Sequence, residues 1–229
     1  MLERFGEELW TADGPIVTVM GFDFPTRMTV IRLSDGALFI WSPVALSREL
    51  QRAVEVLGPV RHIVAPNSLH HLFIGEWQTA YPEAKLHAAP RLREKRPDLR
   101  WDTELGDKPA ADWSNDIDQV VVRGNRITTE VVFFHRRSRT AIFADLIQNF
   151  ESGWFEGWRA FAAKLDLMTA PRPTVLRKYR ATFTDRTIAR NAIERIIEWP
   201  TEGVLAAHSP LIANDGRAAI AHAFGWLLR

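Results

Sequence analysis

Short apolar runs alternate with amphipathic stretches along the chain, and this alternation predicts a mixture of strands and helices. In the first half, the pattern predicts strands over residues 16–24, 28–33, 37–41, 62–65 and 84–88, and helices over residues 48–57 and 73–80. The Asp35-Gly36 pair between two of these strands is a strong hairpin signal. Ser47 can cap the first helix, and Pro66 interrupts the chain directly after the fourth strand.

The second half repeats this order of hairpin, helix and strand. The pattern predicts strands over residues 117–123, 127–135, 140–144 and 203–207, and helices over residues 150–167, 188–199 and 218–228. Thr184 is the predicted cap before the second of these helices. Two mixed β-sheets, each covered by helices, therefore predict an α/β (α+β by some schemes) four-layer αββα sandwich. We expect residues 1–229 to form a single domain.

The composition limits which partners and which cellular location are expected for this chain. The net charge of +1 gives no electrostatic case for nucleic acid or an anionic membrane. A small-molecule substrate is the expected partner, and a homodimer is left open. No apolar run approaches the roughly 18 residues of a membrane span. The chain has no cysteine, and its first ten residues lack the apolar core of a signal peptide, which fits a cytoplasmic location. Any metal must then be held by histidine and carboxylate, which favours zinc, iron or manganese.

Polar side chains follow three of the predicted strands. His70 and His71 come after the break at Pro66, Asp145 ends the second hairpin, and His208 follows the last strand. If these strands run in one direction, their ends meet at one edge, where three imidazoles and one carboxylate suit a single zinc or iron ion. Adjacent histidines point to opposite faces of a strand but can converge at a loop or helix start. A capping or packing role for the pair is the alternative.

Three segments carry a resemblance to a known family. Residues 66–73 (PNSLHHLF), 134–145 (FHRRSRTAIFAD) and 204–210 (VLAAHSP), in this order among the strands and helices, resemble a divergent, uncharacterised branch of the metallo-β-lactamase-like hydrolase superfamily. The resemblance covers most of the chain. The order of the hairpins, helices and motif-bearing loops is more specific to the superfamily than any individual motif. It implies the αββα fold and the chemistry of a metal-dependent hydrolase.

The metal ligands that the resemblance implies are only partly retained. The superfamily's first loop reads T-H-x-H-x-D-H and can bind two metals, and residues 65–71 fill those places here. Pro66 and Ser68 replace its first two histidines, while His70 stands at the Asp position and His71 at the last His.

The other ligand positions complete this pattern. Asn125, after Gly124, replaces a further histidine, and the metal-bridging Asp and the final His are matched by Asp145 and His208. One metal site is therefore lost as a unit. The resemblance implies that the other remains, and holds one divalent metal, zinc or alternatively iron or manganese. Its predicted ligands are His70, His71, Asp145 and His208, of which Asp145 and His70 are the predicted catalytic residues.

Several further residues are left with two interpretations. Asn67 and Asn125 either contact substrate or support the metal ligands, or they serve as turn residues. Where the superfamily's third strand usually ends in an Asp that supports the metal loop, this chain has Ser42. The basic stretch 91–100 is a solvated helix or loop, or a patch for an anionic substrate, and the aromatic residues of 150–161 form a core helix or a roof over the pocket. The remaining histidines are expected to have packing or structural roles: His62, His87, His135 and His222.

Three functions compete on this basis. The first is a mononuclear metal-dependent hydrolase of an ester, thioester or lactone, whose metal would lower the pKa of its water and supply hydroxide. The second is a non-catalytic binding or scaffold descendant of the fold without metal. The third is an iron-dependent redox enzyme, which histidine and carboxylate ligation permits.

Overall fold

Two mixed β-sheets lie face to face between two layers of helices in the structure, a computed structural model that describes residues 1–229. The strands are β1 Glu3–Gly6, β2 Leu9–Asp13, β3 Val17–Val19, β4 Phe22–Phe24, β5 Arg27–Arg32, β6 Leu38–Trp41, β7 Val60–Ala65, β8 Lys85–Ala88, β9 Thr103–Glu104, β10 Ile117–Val122, β11 Glu130–His135, β12 Thr140–Phe143 and β13 Gly203–Ala206. The helices are α1 Arg48–Leu57, α2 Ile74–Ala80, α3 Leu92–Lys95, α4 Gly157–Leu165, α5 Arg177–Thr182, α6 Arg186–Ile197, α7 Gly216–Ala223 and α8 Gly225–Leu228.

The strand order brings four strand ends to one edge of the sandwich. The first sheet runs β1-β2-β5-β6-β7-β8-β9 and the second runs β10-β11-β12-β13, while β3 and β4 form a separate hairpin. Strand β6 is parallel to β7, and β12 is parallel to β13. The carboxyl ends of each parallel pair therefore lie side by side, and the loops that carry the candidate ligands leave from those ends.

Apolar packing on both faces of each sheet confirms the predicted four layers. One cluster fills the space between the sheets, where the rings of Phe39 and Phe133 lie 5.5 Å apart. A second cluster packs α1 and α2 on the first sheet, and a third packs α6 and α7 on the second. Each face that the sequence makes apolar is thus covered, which is the condition for a stable layered domain.

The predicted strand over residues 16–24 is wrong, because the chain folds back in its middle. Met20 and Gly21 both have positive φ, 51° and 80°, so β3 and β4 form a hairpin with a two-residue turn of the kind that matches strand twist. Two helix predictions also need correction. The helix expected from residue 150 begins only at Gly157, and Asp185, not Thr184, caps α6 by accepting a hydrogen bond from the amide of Ile188.

No helix in the structure combines the length and the apolar character that crossing a bilayer requires.

The hydrophobic pattern did not predict the two N-terminal strands, β1 and β2, which extend the first sheet beyond β5.

Candidate metal centre

Two imidazoles and one carboxylate converge at the shared edge of the two sheets. The Nε2 atom of His70 lies 3.2 Å from Oδ2 of Asp145, and Nε2 of His208 lies 3.5 Å from Oδ1 of the same carboxylate. One ligand atom from each of the three residues falls within 4.8 Å of the others. All three side chains are less than 10% exposed, so they face one another rather than bulk solvent.

Each residue of this group follows directly from a strand end. His70 lies on the loop after β7, Asp145 comes two residues after β12, and His208 comes two residues after β13. The loop after β13 is held by Arg27, whose guanidinium donates hydrogen bonds to the carbonyl oxygens of Ala206 and Ser209 at 3.1 and 2.6 Å. The structure therefore brings His70, Asp145 and His208 together from three separate chain segments.

Hydrogen bonds at Nδ1 fix the orientation of the His70 and His208 rings. Nδ1 of His208 lies 2.7 Å from the carbonyl oxygen of Pro25, which can only accept, so this nitrogen carries the proton. Nδ1 of His70 lies 2.7 Å from Oγ of Ser42. In both rings Nε2 is therefore the atom turned toward Asp145, the arrangement by which proteins orient imidazole ligands.

The carboxylate of Asp145 is held from two further sides. Its Oδ2 accepts a 2.7 Å hydrogen bond from Nδ2 of Asn67, and its Oδ1 accepts one of 3.0 Å from Gln148. Burial alone would raise the pKa of Asp145, but His70 and His208 outweigh burial and hold that pKa well below its ordinary value. Asp145 is therefore ionised and rigid, as a metal-binding carboxylate must be.

Glu130, at the start of β11, is a supporting residue that the sequence analysis missed. Its carboxylate is fully buried and accepts hydrogen bonds from the backbone amides of Ala144, Asp145 and Leu146 and from Asn67. Burial and the neighbouring charge of Asp145 raise the pKa of Glu130 to about 7. The signal for it was available: a single carboxylate opening the apolar run Val131–Phe134 must face buried donors.

His71 lies apart from the group that its neighbour joins. Its Nδ1 is 2.9 Å from the guanidinium of Arg96, which also donates to the backbone carbonyl of His71. Burial, followed by the charges of Lys95 and Arg96, lowers the pKa of His71 to about 4. The structure therefore brings together three of the four predicted ligands, while His71 lies outside the group and its Nδ1 is engaged by Arg96.

The two asparagines are used differently. Asn67 is completely buried and links its own loop to the metal group, because its Oδ1 accepts from the amides of Leu69 and His70 while its Nδ2 reaches Asp145. Asn125 lies outside the group and organises a neighbouring loop by accepting from the amide of Ile127 and donating to the carbonyl of Tyr179. Asn67 therefore supports the predicted ligands, whereas Asn125 acts as a turn residue.

A cleft of about 520 Å³ opens over the group, and most of its wall is apolar. Its lining comes from the β3–β4 hairpin, from the loops after β4, β6 and β7, from the end of α3 and from scattered residues of the second half. The lining residues are Val17, Val19, Met20, Phe24, Thr26, Ser42, Pro43, Leu69, His70, His71, Leu72, Phe73, Lys95, Ile127, Asp145, Lys178, Tyr179 and His208. The aromatic segment 150–161 does not line the cleft. Instead Phe155 and Trp158 pack edge-on against Phe22 and brace the hairpin from behind.

This donor set fits a divalent metal. Two imidazole nitrogens and one carboxylate are ligands that zinc accepts, and three protein ligands are the number typical of catalytic sites, where a further position serves water or substrate. Both imidazoles already have their Nδ1 atoms engaged, and the carboxylate is ionised. The group lies at the cleft wall, so a bound metal would be within reach of a ligand there.

Comparison with known proteins identifies the fold. The family model described as a domain of unknown function (DUF4336) matches residues 6–93, and no curated protein matches the chain. A metallo-β-lactamase from Pontibacter korlensis superposes with a TM-score of 0.65 at 12% identity, over 99% of this chain and 98% of that one. The DIM-1 metallo-β-lactamase exposed to ceftazidime gives 0.66 at 15% identity, over 99% and 95%.

A third structure is the metallo-β-lactamase FIM-1 from Pseudomonas aeruginosa in its mono-zinc form, with a TM-score of 0.64 at 9% identity, over 100% of this chain and 96% of that one. Identities this low show the fold and leave the activity to be argued from the site. The chain therefore has the metallo-β-lactamase fold, which confirms the predicted αββα architecture and the fold that the sequence resemblance implied.

Proposed function

We propose that this chain, acting as one domain of residues 1–229, is a mononuclear metal-dependent hydrolase of a small ester, thioester or lactone. The observation that carries the proposal is the convergence of Nε2 of His70, Nε2 of His208 and the carboxylate of Asp145 at the wall of an apolar cleft. These residues would hold the metal, for which zinc is the best match to the donors. A divalent metal there would supply Lewis-acid activation of water at neutral pH.

The chain's own residues account for the rest of the chemistry. Ser42 and the carbonyl of Pro25 fix the two rings, so no reorganisation is needed when the site is used. Asn67 and Glu130 hold Asp145 in place from behind. The apolar cleft wall excludes bulk water and favours a substrate with an apolar part beside the scissile carbonyl.

The decisive experiment compares two neighbouring histidines. Zinc-loaded wild type, His70→Ala and His71→Ala are dialysed and analysed for metal and for hydrolysis of ester, thioester and lactone panels. We expect about one equivalent of zinc in the wild type and in His71→Ala, and less than about a tenth in His70→Ala. Asp145→Ala should behave like His70→Ala, because it removes the central carboxylate.

The competing function is a non-catalytic binding module without metal. Wild-type protein that retains less than about a tenth of an equivalent of metal and hydrolyses no member of the panels would support it and defeat our proposal. Metal-dependent hydrolysis that disappears in His70→Ala and persists in His71→Ala would exclude it.

A further inference from the structure

A second cleft adjoins the first and has the opposite character. It has a volume of about 380 Å³ and is lined almost entirely by polar residues. Lys95 and Ile127 line both clefts, so the two lie side by side at these residues. A ligand that extends from the metal group past Lys95 would enter this second cleft.

Three cations lie in the second cleft without an acidic partner. Arg91 and Arg126 make no ion pair and no side-chain hydrogen bond, and Lys95 donates only to the carbonyl oxygen of Ser68. Arg96, by contrast, lies outside this lining and is paired with Asp98. Unpaired cations gathered in one concave surface, rather than spread over an open face, are typical of an anion site.

The fold holds these cations in place through the backbone. Arg91 has a left-handed conformation, with φ 70°, directly before the buried Leu92 that anchors α3, and Lys95 ends the same helix. On the opposite wall, the amide of Arg126 donates to the carbonyl of Thr182 at 3.0 Å. Asn125 accepts from the next amide, that of Ile127, at 2.8 Å. Asn125, as a turn residue, thus shapes the loop that presents Arg126.

We infer that the two clefts together bind an acyl ester or thioester whose leaving group carries phosphate, with the acyl part in the apolar cleft and the phosphate in the polar one. Two guanidinium groups and one ammonium exceed the charge that a single carboxylate would need, and guanidinium groups match phosphate geometry in a bidentate manner. Glu94 is the one carboxylate in this lining, so the cleft keeps an excess of positive charge. The hydroxyl of Thr129 adds a further donor to the same wall.

This inference rests on the proposed function for the hydrolytic step only. In that step water adds to the acyl carbon, the bond from that carbon to oxygen or sulfur breaks, and the leaving group departs as an alcohol or thiol with one proton. The carboxylic acid is the other product, so no oxidant or further reactant is needed. Anion binding in the second cleft itself requires no metal.

The test is therefore a binding measurement on the full chain kept in excess chelator. Isothermal titration compares decanoyl-coenzyme A with the uncharged S-decanoyl-N-acetylcysteamine, which shares the acyl thioester and lacks phosphate. We expect the phosphorylated thioester to bind at least about tenfold more tightly, which corresponds to about 1.4 kcal/mol, and to lose much of this advantage at high salt. Arg91→Gln combined with Arg126→Gln should abolish the difference.

Matched variants keep the result interpretable. Arg93→Gln removes an exposed cation of the same helix outside the cleft lining and should leave both affinities unchanged. If the double variant does not fold, the single charge reversal Arg126→Glu replaces it. Equal affinities for the two thioesters, an unchanged preference in the arginine variants, or no binding of the phosphorylated compound would overturn the inference.

Hydrolysis of both thioesters by the zinc-loaded chain separates the two proposals. Equal turnover of both would leave the hydrolase standing and remove the phosphate site. Selective binding of the phosphorylated thioester without hydrolysis of either compound would leave the phosphate site standing and remove the hydrolase.

Discussion

The hydroxyl oxygen of Ser42 lies 2.7 Å from Nδ1 of His70, and it holds this ring from the side opposite Asp145. Ser42 follows β6 and has a φ of 48°, a backbone conformation that most residues adopt only under strain. A chain of serine, histidine and aspartate also resembles a nucleophilic triad. However, the next residue is Pro43, which has no amide N–H to stabilise an oxyanion. The contact is therefore best explained as orientation of His70.

Replacing Ser42 should weaken metal binding without unfolding the chain. Ser42→Ala removes the hydrogen bond to Nδ1 of His70, and we expect zinc affinity to fall about 10- to 100-fold, the usual effect of losing such a supporting contact. Ser42→Gly should show the same loss in affinity while tolerating the positive φ better than Ala does. Zinc affinity is measured by competition with a chromophoric chelator.

Ser47→Ala is the matched control for this experiment. Ser47 caps α1 by accepting a 3.1 Å hydrogen bond from the amide of Leu50, so its loss should cost about 1 kcal/mol of stability. Because Ser47 belongs neither to the metal group nor to the cleft lining, zinc affinity should not change. Equal zinc affinities in Ser42→Ala and wild type would show that the hydroxyl has no part in orienting His70.

The candidate centre illustrates what a sequence reveals about a site. His70, Asp145 and His208 could be found because each follows a strand end, and the ends of parallel strands meet. The fate of His71 could not be found in this way, since neighbouring residues of an irregular loop have no fixed relative direction. Its partner Arg96 is 25 positions away and was visible only as part of a basic stretch.

Glu130 should be required for the fold around Asp145. Glu130→Ala would leave the buried amides of Ala144, Asp145 and Leu146 without an acceptor, each at a cost of about 1–3 kcal/mol. We therefore expect a loss of at least about 3 kcal/mol in the free energy of unfolding, measured by urea denaturation.

The isosteric variant sharpens this prediction. Glu130→Gln keeps the shape but places an NH2 group against amide donors, so it should also destabilise the chain. Glu83→Gln, at an exposed position, should change the unfolding free energy by less than about 0.5 kcal/mol. A Glu130→Gln variant as stable as Glu83→Gln would mean that the carboxylate is not needed as an acceptor.

The hairpin over the cleft should depend on the aromatic residues behind it. Trp158 lies edge-on to Phe22 with ring centroids 5.6 Å apart, so Trp158→Ala should weaken β3–β4 by about 1 kcal/mol. The amides of that hairpin should then exchange with deuterium roughly fivefold faster, while the rest of the chain is unchanged. Phe161→Ala removes a more exposed aromatic residue of the same helix and should leave hairpin exchange unaltered.

This hairpin is also a part of the fold that the hydrophobic pattern did not predict. Residues 16–24 are almost continuously apolar, so their periodicity gave one strand, although the chain reverses at Met20 and Gly21. A glycine within an apolar run was the available signal. The hairpin of β5 and β6 was predicted correctly because its Asp35-Gly36 turn interrupts the apolar pattern.

The buried pair His62 and His87 should make the chain sensitive to acid. Nδ1 of His62 lies 3.1 Å from Nε2 of His87 between the sheets. Burial, followed by the nearby charges of His62 and Lys85, lowers the pKa of His87 to about 3, and burial also lowers the pKa of His62. In the unfolded chain both histidines have a pKa of about 6.5. Below that pH the unfolded state therefore binds more protons than the folded state, which lowers the free energy of unfolding.

The stability that neutral His87 contributes is therefore fully present above about pH 6.5 and is lost as the pH falls toward about 3. Neutral His62 contributes in the same direction. His87 should remove up to about 1.4 kcal/mol of stability per pH unit in that window. Urea denaturation of the chelator-treated chain from about pH 7 to 4.5 measures the slope. His87→Gln should make it shallower by about 1.4 kcal/mol per unit, whereas His222→Gln, at an exposed position, should not. Identical slopes in the His87→Gln chain and the wild type would show that this pair does not govern the acid sensitivity.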